Sequence, residues 1–266
     1  MASFEFQETS DSLNTRIDIH KRFGLRDMTQ WILEKLGQAN GLEILDSGCG
    51  LGDQCILFNQ EYPDSNIVGL DTSPDLWTKA RERTSEKNLA IRFIEGSIDD
   101  PLPFESESFD LVTCIFAVYY AKDVWFSIRE MHRVLKLGGR IFLAGPDPDN
   151  KPEFFEIQTR LTGRPTPYMP GRGRFRPEGL EACRDLFADV EYHTLENPLV
   201  FHEPGPFVDY VRSSVVEDRL LWKDLLPDAQ SVDRFCNLVA EEARSSIAQN
   251  GNITITKVVG GILGTK

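Results

Sequence analysis

Between residues 41 and 146 the chain alternates with a regularity that few folds satisfy. The runs "LEILDSG", "SNIVGLD", "IRFIEGS", "SFDLVTCIFAV" and "GRIFLAG" are short, apolar and bounded by turn residues, as buried strands are. Among them lie "GDQCILFNQEY", "SPDLWTKARERTSEKN" and "VWFSIREMHRVLK", whose apolar residues recur at helical spacing. Strands alternating with helices imply parallel strands joined by right-handed crossovers, a doubly wound α/β sheet. "DVEYHTLENPLVF" and "NITITKVVGGIL" bring the expected strands to seven.

The remainder divides around this core. Residues 1–40 are expected to form N-terminal helices, and 41–204 the sheet domain with a lid loop at 147–176. Residues 205–250 read as a mostly helical cap inserted before a final core strand at 251–266. The chain has 42 acidic against 29 basic residues, a net charge of -13 over 266 residues, which repels a phosphate backbone and argues against a nucleic-acid partner. No apolar stretch reaches the length of a membrane span, and "MASFEFQETSDSLN" lacks the basic start and apolar middle of a secretion signal, so the expected location is the cytoplasm. Five scattered cysteines without a Cys-x-x-Cys pair, and four histidines without ligand spacing, indicate neither a disulfide framework nor a metal centre.

The first strand ends in "ILDSGCGLG", with Asp46 followed by Gly48, Gly50 and Gly52. In an open α/β sheet the ligand lies beyond the carboxyl ends of the strands, and this first turn is its usual anchor. The spacing is G-x-G-x-G. A dinucleotide fingerprint needs G-x-G-x-x-G, and its third small residue would fall on Asp53, which argues against NAD and FAD. Asp71 ends the second strand, about 20 residues on, where such folds hold ribose hydroxyls with an acid; it also stands where it could cap the following helix.

Four blocks in this order, "ILDSGCGLG", "VGLDTSPDLWTKAR", "FIEGSIDDPLPFESESFDLV" and "REMHRVLKLGGRIFL", resemble the class I S-adenosylmethionine-dependent methyltransferases, whose core is Rossmann-like. The resemblance implies S-adenosyl-L-methionine as cofactor and S-adenosyl-L-homocysteine as product. It implies contact with the methionine part at Asp46, Gly48, Gly50 and Gly52, and with the ribose at Asp71 and Thr72. The adenine pair falls on Ser97 and Ile98, where relatives usually carry an acid and an apolar residue, and Asp99 is the alternative. Leu137 stands where the family usually has proline before its "GG" turn.

The end of the fourth strand, "CIFAVYY", is where the resemblance places the meeting of cofactor and acceptor. It offers Phe116 and Ala117 for cofactor contact, and Tyr119 and Tyr120 as lining or catalytic residues. Candidate bases are His20, one helical turn from Arg16, together with His193 and His202; His132 reads as structural. The run "GRGRFRP" at 171–177, with Arg172, Arg174 and Arg176, is either an anion-binding loop or a neutralised surface loop. Phe154, Phe155, Tyr168, Phe207, Tyr210 and Trp222 favour an apolar or aromatic acceptor pocket. The expected function is methyl transfer to a small-molecule acceptor, aromatic or anionic, at O, N or C. The alternatives are another reaction on the same fold, such as cyclisation, and a non-catalytic cofactor-binding partner.

Overall fold

Seven strands form one sheet in the order β3-β2-β1-β4-β5-β7-β6. They are β1 (Glu43–Ser47), β2 (Asn66–Asp71), β3 (Ile91–Glu95), β4 (Phe109–Ile115), β5 (Leu135–Pro146), β6 (Ala188–Phe201) and β7 (Ile253–Thr265). The computed structural model describes residues 10–165, 173–217, 222 and 224–266. β1 to β5 pair in parallel, whereas β7 runs antiparallel to both β5 and β6. The order reverses between β1 and β4, which opens the crevice that doubly wound sheets use for ligands.

Side chains of adjacent strand residues face opposite sides, and this divides the core in two. Ile44, Leu111 and Phe142 pack with α2 (Met28–Leu36), α3 (Asp53–Glu61) and α4 (Pro74–Glu86). Their neighbours Leu45, Val112 and Leu143 pack on the other face with α5 (Val124–Val134) and α7 (Leu180–Leu186). The helical run "VWFSIREMHRVLK" stops at Val134, because Leu135 already pairs with Phe109 across a bulge that begins β5. His132 packs edge-on against Phe187.

β6 and β7 are longer than the sheet they complete. β5 reaches only Val259 of β7, while β6 pairs on to Ile253, so residues 253–258 leave the sheet as a two-stranded ribbon. This ribbon carries a third core, in which Phe201, Ile253 and Ile255 pack with α6 (Pro152–Thr162), α8 (Pro204–Glu217) and α9 (Ala229–Asn250). The chain after β5 is laced to it. Asp147 N–H donates to Val258 O at 3.1 Å and Lys151 N–H to Thr256 O at 2.8 Å. Asn150 Oδ1 accepts from Val258 N–H, and Glu153 Oε2 from Thr256 N–H. α1 (Ser10–Phe23) lies across the top, with Ile19 in the cap core and the α1–α2 linker bonded through Arg26 to the Asn197 side chain on the ribbon.

Arg174 and Arg176 of the arginine run form a clasp within the protein. Arg174 pairs with Glu178 and donates to the carbonyls of Tyr119 and Ala121; Arg176 covers the Tyr192 ring and faces Asp147. Phe175 between them is fully buried in the π turn Phe175–Gly179, so close to Gly145 that a Cβ there would meet its ring at 2.6 Å. Arg172 and Tyr168 lie outside the described residues. Phe175→Ala is expected to cost about 3–5 kcal/mol of stability, the usual range for emptying a buried aromatic site. Urea unfolding measures it, and a loss below about 1 kcal/mol, typical of surface changes, would show that the clasp does not anchor this segment.

Candidate functional site

Three successive amides of the glycine turn are bound by the end of β2. Gly48 N–H and Cys49 N–H both donate to Leu70 O, at 2.7 and 3.0 Å, and Gly50 N–H donates to Asp71 Oδ2 at 2.8 Å. Asp71 Oδ1 accepts from Ser73 N–H at 2.8 Å, so the carboxylate both closes the turn and begins α4. A phosphate-binding turn aims such amides at its anion. Here they are already engaged, which disfavours a pyrophosphate and leaves Asp71's remaining lone pairs as the acceptors offered to a ligand. Gly48 is required for a different reason: at φ 75° a Cβ would lie 2.4 Å from the Ala117 Cβ, so only bare backbone lets the β1 and β4 turns meet.

One cavity of about 960 Å³ runs along the carboxyl edge of the sheet. Towards β1, β2 and β3 it is lined by Asp46, Gly48, Cys49, Gly50, Asp71, Thr72, Ser97, Ile98 and Asp99. At the middle stand Phe116, Ala117, Tyr119 and Tyr120 from the end of β4. Phe116 holds φ 57°, a conformation that costs a side-chain-bearing residue about 1–2 kcal/mol. Towards β5 and β7 the lining is Asn150, Lys151, Phe155, Tyr210, Ser214 and Lys257, and the roof is one face of α1 formed by Leu13, Arg16, Ile17 and His20.

Charge is unevenly distributed along this cavity. Burial raises the Asp46 carboxyl from 3.8 to about 6, against the hydrogen bonds from Thr113 and Cys55 and reinforced by the charge of Asp71. Asp71 is also raised, again by burial, with the backbone bonds opposing. Two buried carboxylates at one end make a region that favours a cation. At the other end, burial first and then the charges of Lys257, Lys151 and Arg16 hold the His20 imidazole well below its ordinary value. His20 is therefore neutral at pH 7. Its Nε2, with Gln54 Oε1 and Ser214 Oγ, is buried without a hydrogen-bond partner, as groups awaiting a ligand are.

Most residues singled out in the sequence converge here, and some do not. Gly52 does not line the cavity: it takes φ 76° to cap α3, where a Cβ would press on Phe93 and Ala80. His202 is exposed and turned away, its Nδ1 3.0 Å from Gly251 O at the end of α9. His193 pairs with Glu191 on β6. Asp99 lines the cavity while its Oδ1 accepts from Lys122 N–H. Of the described cap aromatics, Phe155 and Tyr210 reach the cavity, while Phe154, Phe207 and Trp222 fill the cap core. Lys151, Lys257, Ser214 and Leu13 join the lining with no sequence motif to mark them. A lysine inside "ITITKVVGG" is the one visible signal, since it breaks the apolar face of a strand.

Comparison with known proteins agrees with this fold. Residues 45–143 match a family described as a methyltransferase domain. The chain is 30% identical over 146 residues to a demethylmenaquinone methyltransferase of Thermus thermophilus, covering 52% of this chain and 66% of that one. It is 40% identical over 100 residues to that of Deinococcus radiodurans, covering 38% and 41%. The chain thus spans less than two thirds of the length of these relatives. In fold it is similar to the YcgJ protein of Bacillus subtilis, with TM-score 0.59, 21% identity and coverage of 90% and 97%. It is similar also to phosphoethanolamine N-methyltransferase 2 of Haemonchus contortus, solved with S-adenosyl-L-methionine, with TM-score 0.60, 17% identity and coverage of 97% and 57%. The fold is thus the doubly wound α/β sheet found in methyltransferases. More particularly, residues 45–143 match a methyltransferase domain, and over that segment the chain is similar to demethylmenaquinone methyltransferases.

The raised carboxyl at Asp46 has a measurable consequence. The native state holds that proton more tightly than the unfolded chain, so the contribution is complete below about pH 3.8 and is lost as pH rises through about 6. Relative to wild type, ligand-free Asp46→Asn should therefore gain on the order of 2–3 kcal/mol between pH 4.5 and 7.5, two pKa units at 1.36 kcal/mol each. Urea unfolding at the two pH values reads the difference, and an unchanged difference would mean that Asp46 is ionised in the native protein throughout.

Proposed function

We propose that this chain transfers a methyl group from S-adenosyl-L-methionine to a small-molecule acceptor and releases S-adenosyl-L-homocysteine. The observation that carries the reading is the one long cavity: engaged loop amides and two buried carboxylates at one end, a part roofed by α1 at the other, and the β4 turn between them. The residues fit such a cofactor. Asp71 and Thr72 would hold the ribose, Ser97, Ile98 and Asp99 the adenine, and the Asp46 to Gly50 turn the methionine part. Arg16, one turn along α1 from the Leu13 that covers Gly50, would meet its carboxylate. When bound, the cofactor supplies an electrophilic methyl group on a sulfonium leaving group.

What remains for the protein is largely alignment. Holding two reactants in line is worth on the order of 7–11 kcal/mol in favourable cases. Phe116, Ala117, Tyr119 and Tyr120 form the wall midway along the cavity, and Phe116 is kept in its strained conformation by Ala144 O, which accepts its N–H at 2.8 Å. Where the acceptor atom bears a proton, His20 is the base, because its imidazole is neutral and lines the acceptor chamber. His202 has no part in this scheme. Phe155 and Tyr210 give the chamber an aromatic wall.

Incubation with S-adenosyl-L-methionine and a panel of small acceptors, read by mass spectrometry, tests the reaction. S-adenosyl-L-homocysteine should accumulate with a product heavier by one methyl group. A rearranged product of unchanged mass, with the cofactor intact, would instead favour cyclisation. Asp71→Ala should weaken cofactor affinity by roughly 1.5–3 kcal/mol, the range for a hydrogen bond to a charged group. Wild-type affinity in that variant would mean that the ribose lies elsewhere.

A further inference from the structure

α1 lies antiparallel to α8. Arg16 Nη1 donates to Ser213 O at 3.5 Å, while His20, a turn later in α1, sets its ring 6.0 Å from that of Tyr210, a turn earlier in α8. Arg16, Ile17 and His20 on one helix therefore face Tyr210 and Ser214 on the other, and all five line the cavity. Ser214 is 2% exposed, and its hydroxyl has no hydrogen-bond partner. A buried serine or threonine within a helix ordinarily turns its hydroxyl back onto a carbonyl of the preceding turn. Thr84 does so onto Ala80 O and Ser127 onto Asp123 O, both at 3.0 Å. For Ser214 that carbonyl is Tyr210 O, which instead receives the hydroxyl of Ser213 at 2.9 Å.

His20 presents a second such atom. Its Nε2 is buried without a partner, and the ring is held neutral, by burial first and then by the charges of Lys257, Lys151 and Arg16. Leaving buried polar atoms unpaired is costly, so two of them on facing helices of one cavity mark the place of a polar group of the ligand. Gln54 Oε1, also unpaired, stands apart on α3, directly after the glycine turn. A neutral imidazole and a serine hydroxyl can each donate or accept, and a ligand hydroxyl meets both in either sense. Other groups meet them less well. An aliphatic amine is protonated at pH 7 and has no lone pair to offer, an aromatic amine has its lone pair drawn into the ring, and a carboxylate accepts but has no proton to give.

We propose that His20 Nε2 and Ser214 Oγ form a hydroxyl subsite, so that the molecule methylated here is an uncharged phenol and the methyl group goes to its oxygen. The oxygen accepts from Ser214, and its proton points to His20. That the hydroxyl is the methyl acceptor rests on the methyl-transfer reading; the subsite itself rests on the two unpaired atoms. In that reading an oxygen lone pair forms the new O–C bond as the C–S bond breaks to leave S-adenosyl-L-homocysteine, and the hydroxyl proton passes to His20 Nε2 and then to water. Ile17 and the rings of Phe155 and Tyr210 face the apolar remainder of a phenol.

Calorimetric titration of the protein saturated with S-adenosyl-L-homocysteine tests this, with phenol as the probe and anisole and aniline as controls. Anisole keeps the oxygen and lacks the proton; aniline keeps protons and offers a poor lone pair. Phenol should bind saturably at millimolar concentration or below, more tightly than either control. Ser214→Ala should weaken phenol binding roughly three- to tenfold, the loss of one hydrogen bond, while affinity for S-adenosyl-L-homocysteine stays at the wild-type value. It should also leave the ligand-free protein at least as stable to urea, because it removes a buried unpaired hydroxyl and favours the helix. A clear loss of stability would show that Ser214 is bonded within the protein and would overturn the proposal. His20→Phe keeps a ring in place and should abolish the preference for phenol over anisole; if that variant fails to fold, Ser214→Ala decides alone. Controls that bind as tightly as phenol, no saturable phenol binding, or wild-type phenol affinity in Ser214→Ala would also overturn it. In the acceptor panel the new methyl group should be on oxygen, and methylation at nitrogen or carbon would overturn the assignment of the acceptor. Failure of S-adenosyl-L-homocysteine to bind is seen separately in the first titration and bears on the cofactor; phenol is then titrated into the ligand-free protein, where tighter binding than anisole and aniline supports the subsite and its absence overturns it.

Discussion

The site depends on the Asp71 carboxylate and the Leu70 carbonyl beside it. Together they accept the N–H groups of Gly48, Cys49 and Gly50, and Asp71 also accepts that of Ser73 at the start of α4. The turn after β1 is thereby given its shape by the strand next to it rather than by a ligand. A consequence is chemical: a glycine turn whose amides are engaged has little to offer a phosphate, and its ligand must be met by carboxylate oxygens, hydroxyls and shape. The same turn lies against the β4 turn because Gly48 has no side chain to keep Ala117 away. Thus two loops from the switch point of the sheet form one floor.

On this floor the acids of the cavity fall to one side. They belong to segments that end or follow β1, β2 and β3, where Arg83 pairs with Asp53 and Lys122 with Asp99, while the lining towards β5 and β7 carries Lys151 and Lys257. That division follows from topology. β7 runs antiparallel and overshoots β5, so its early residues project beyond the carboxyl edge, and the backbone ladder from Asp147 to Lys151 binds the chain to them. The cap is the packing solution for the exposed faces of this ribbon, and α1 closes the remaining side. An extended strand on an otherwise parallel sheet accordingly determines where the far end of the cavity lies.

The sheet, the glycine turn and the acid after β2 are legible in the sequence because each depends on local pattern: strand period, turn residues, and a spacing of one strand–helix unit. What the sequence hides depends on register between distant segments. Lys257 enters the cavity only because of the face it takes in β7, and Lys151 only because its backbone is bonded to Thr256. His202 stands at the junction of sheet and cap in the sequence, yet its ring turns to Gly251 at the end of α9. In the sequence the arginines at 174 and 176 suit an anion site or a loop neutralised by nearby acids, and the acids, Glu178 and Asp147, are identified only once the π turn forms. The aromatic residues of the cap suggest a pocket and are mostly its core, since a helical cap must fill its own interior before it can line anything else.

The proposed function requires the carboxylate-rich half of the cavity to accept a nucleoside with a cationic or zwitterionic tail and no pyrophosphate. Calorimetric titration of the wild-type protein with S-adenosyl-L-methionine, S-adenosyl-L-homocysteine and NAD, after mass spectrometry for ligand carried through purification, tests it most directly. Saturable one-to-one binding of the first two with no heat from NAD is the predicted result. Binding of NAD with neither of the others would contradict the account at its base, because it would require the amides of Gly48, Cys49 and Gly50 to leave Leu70 and Asp71.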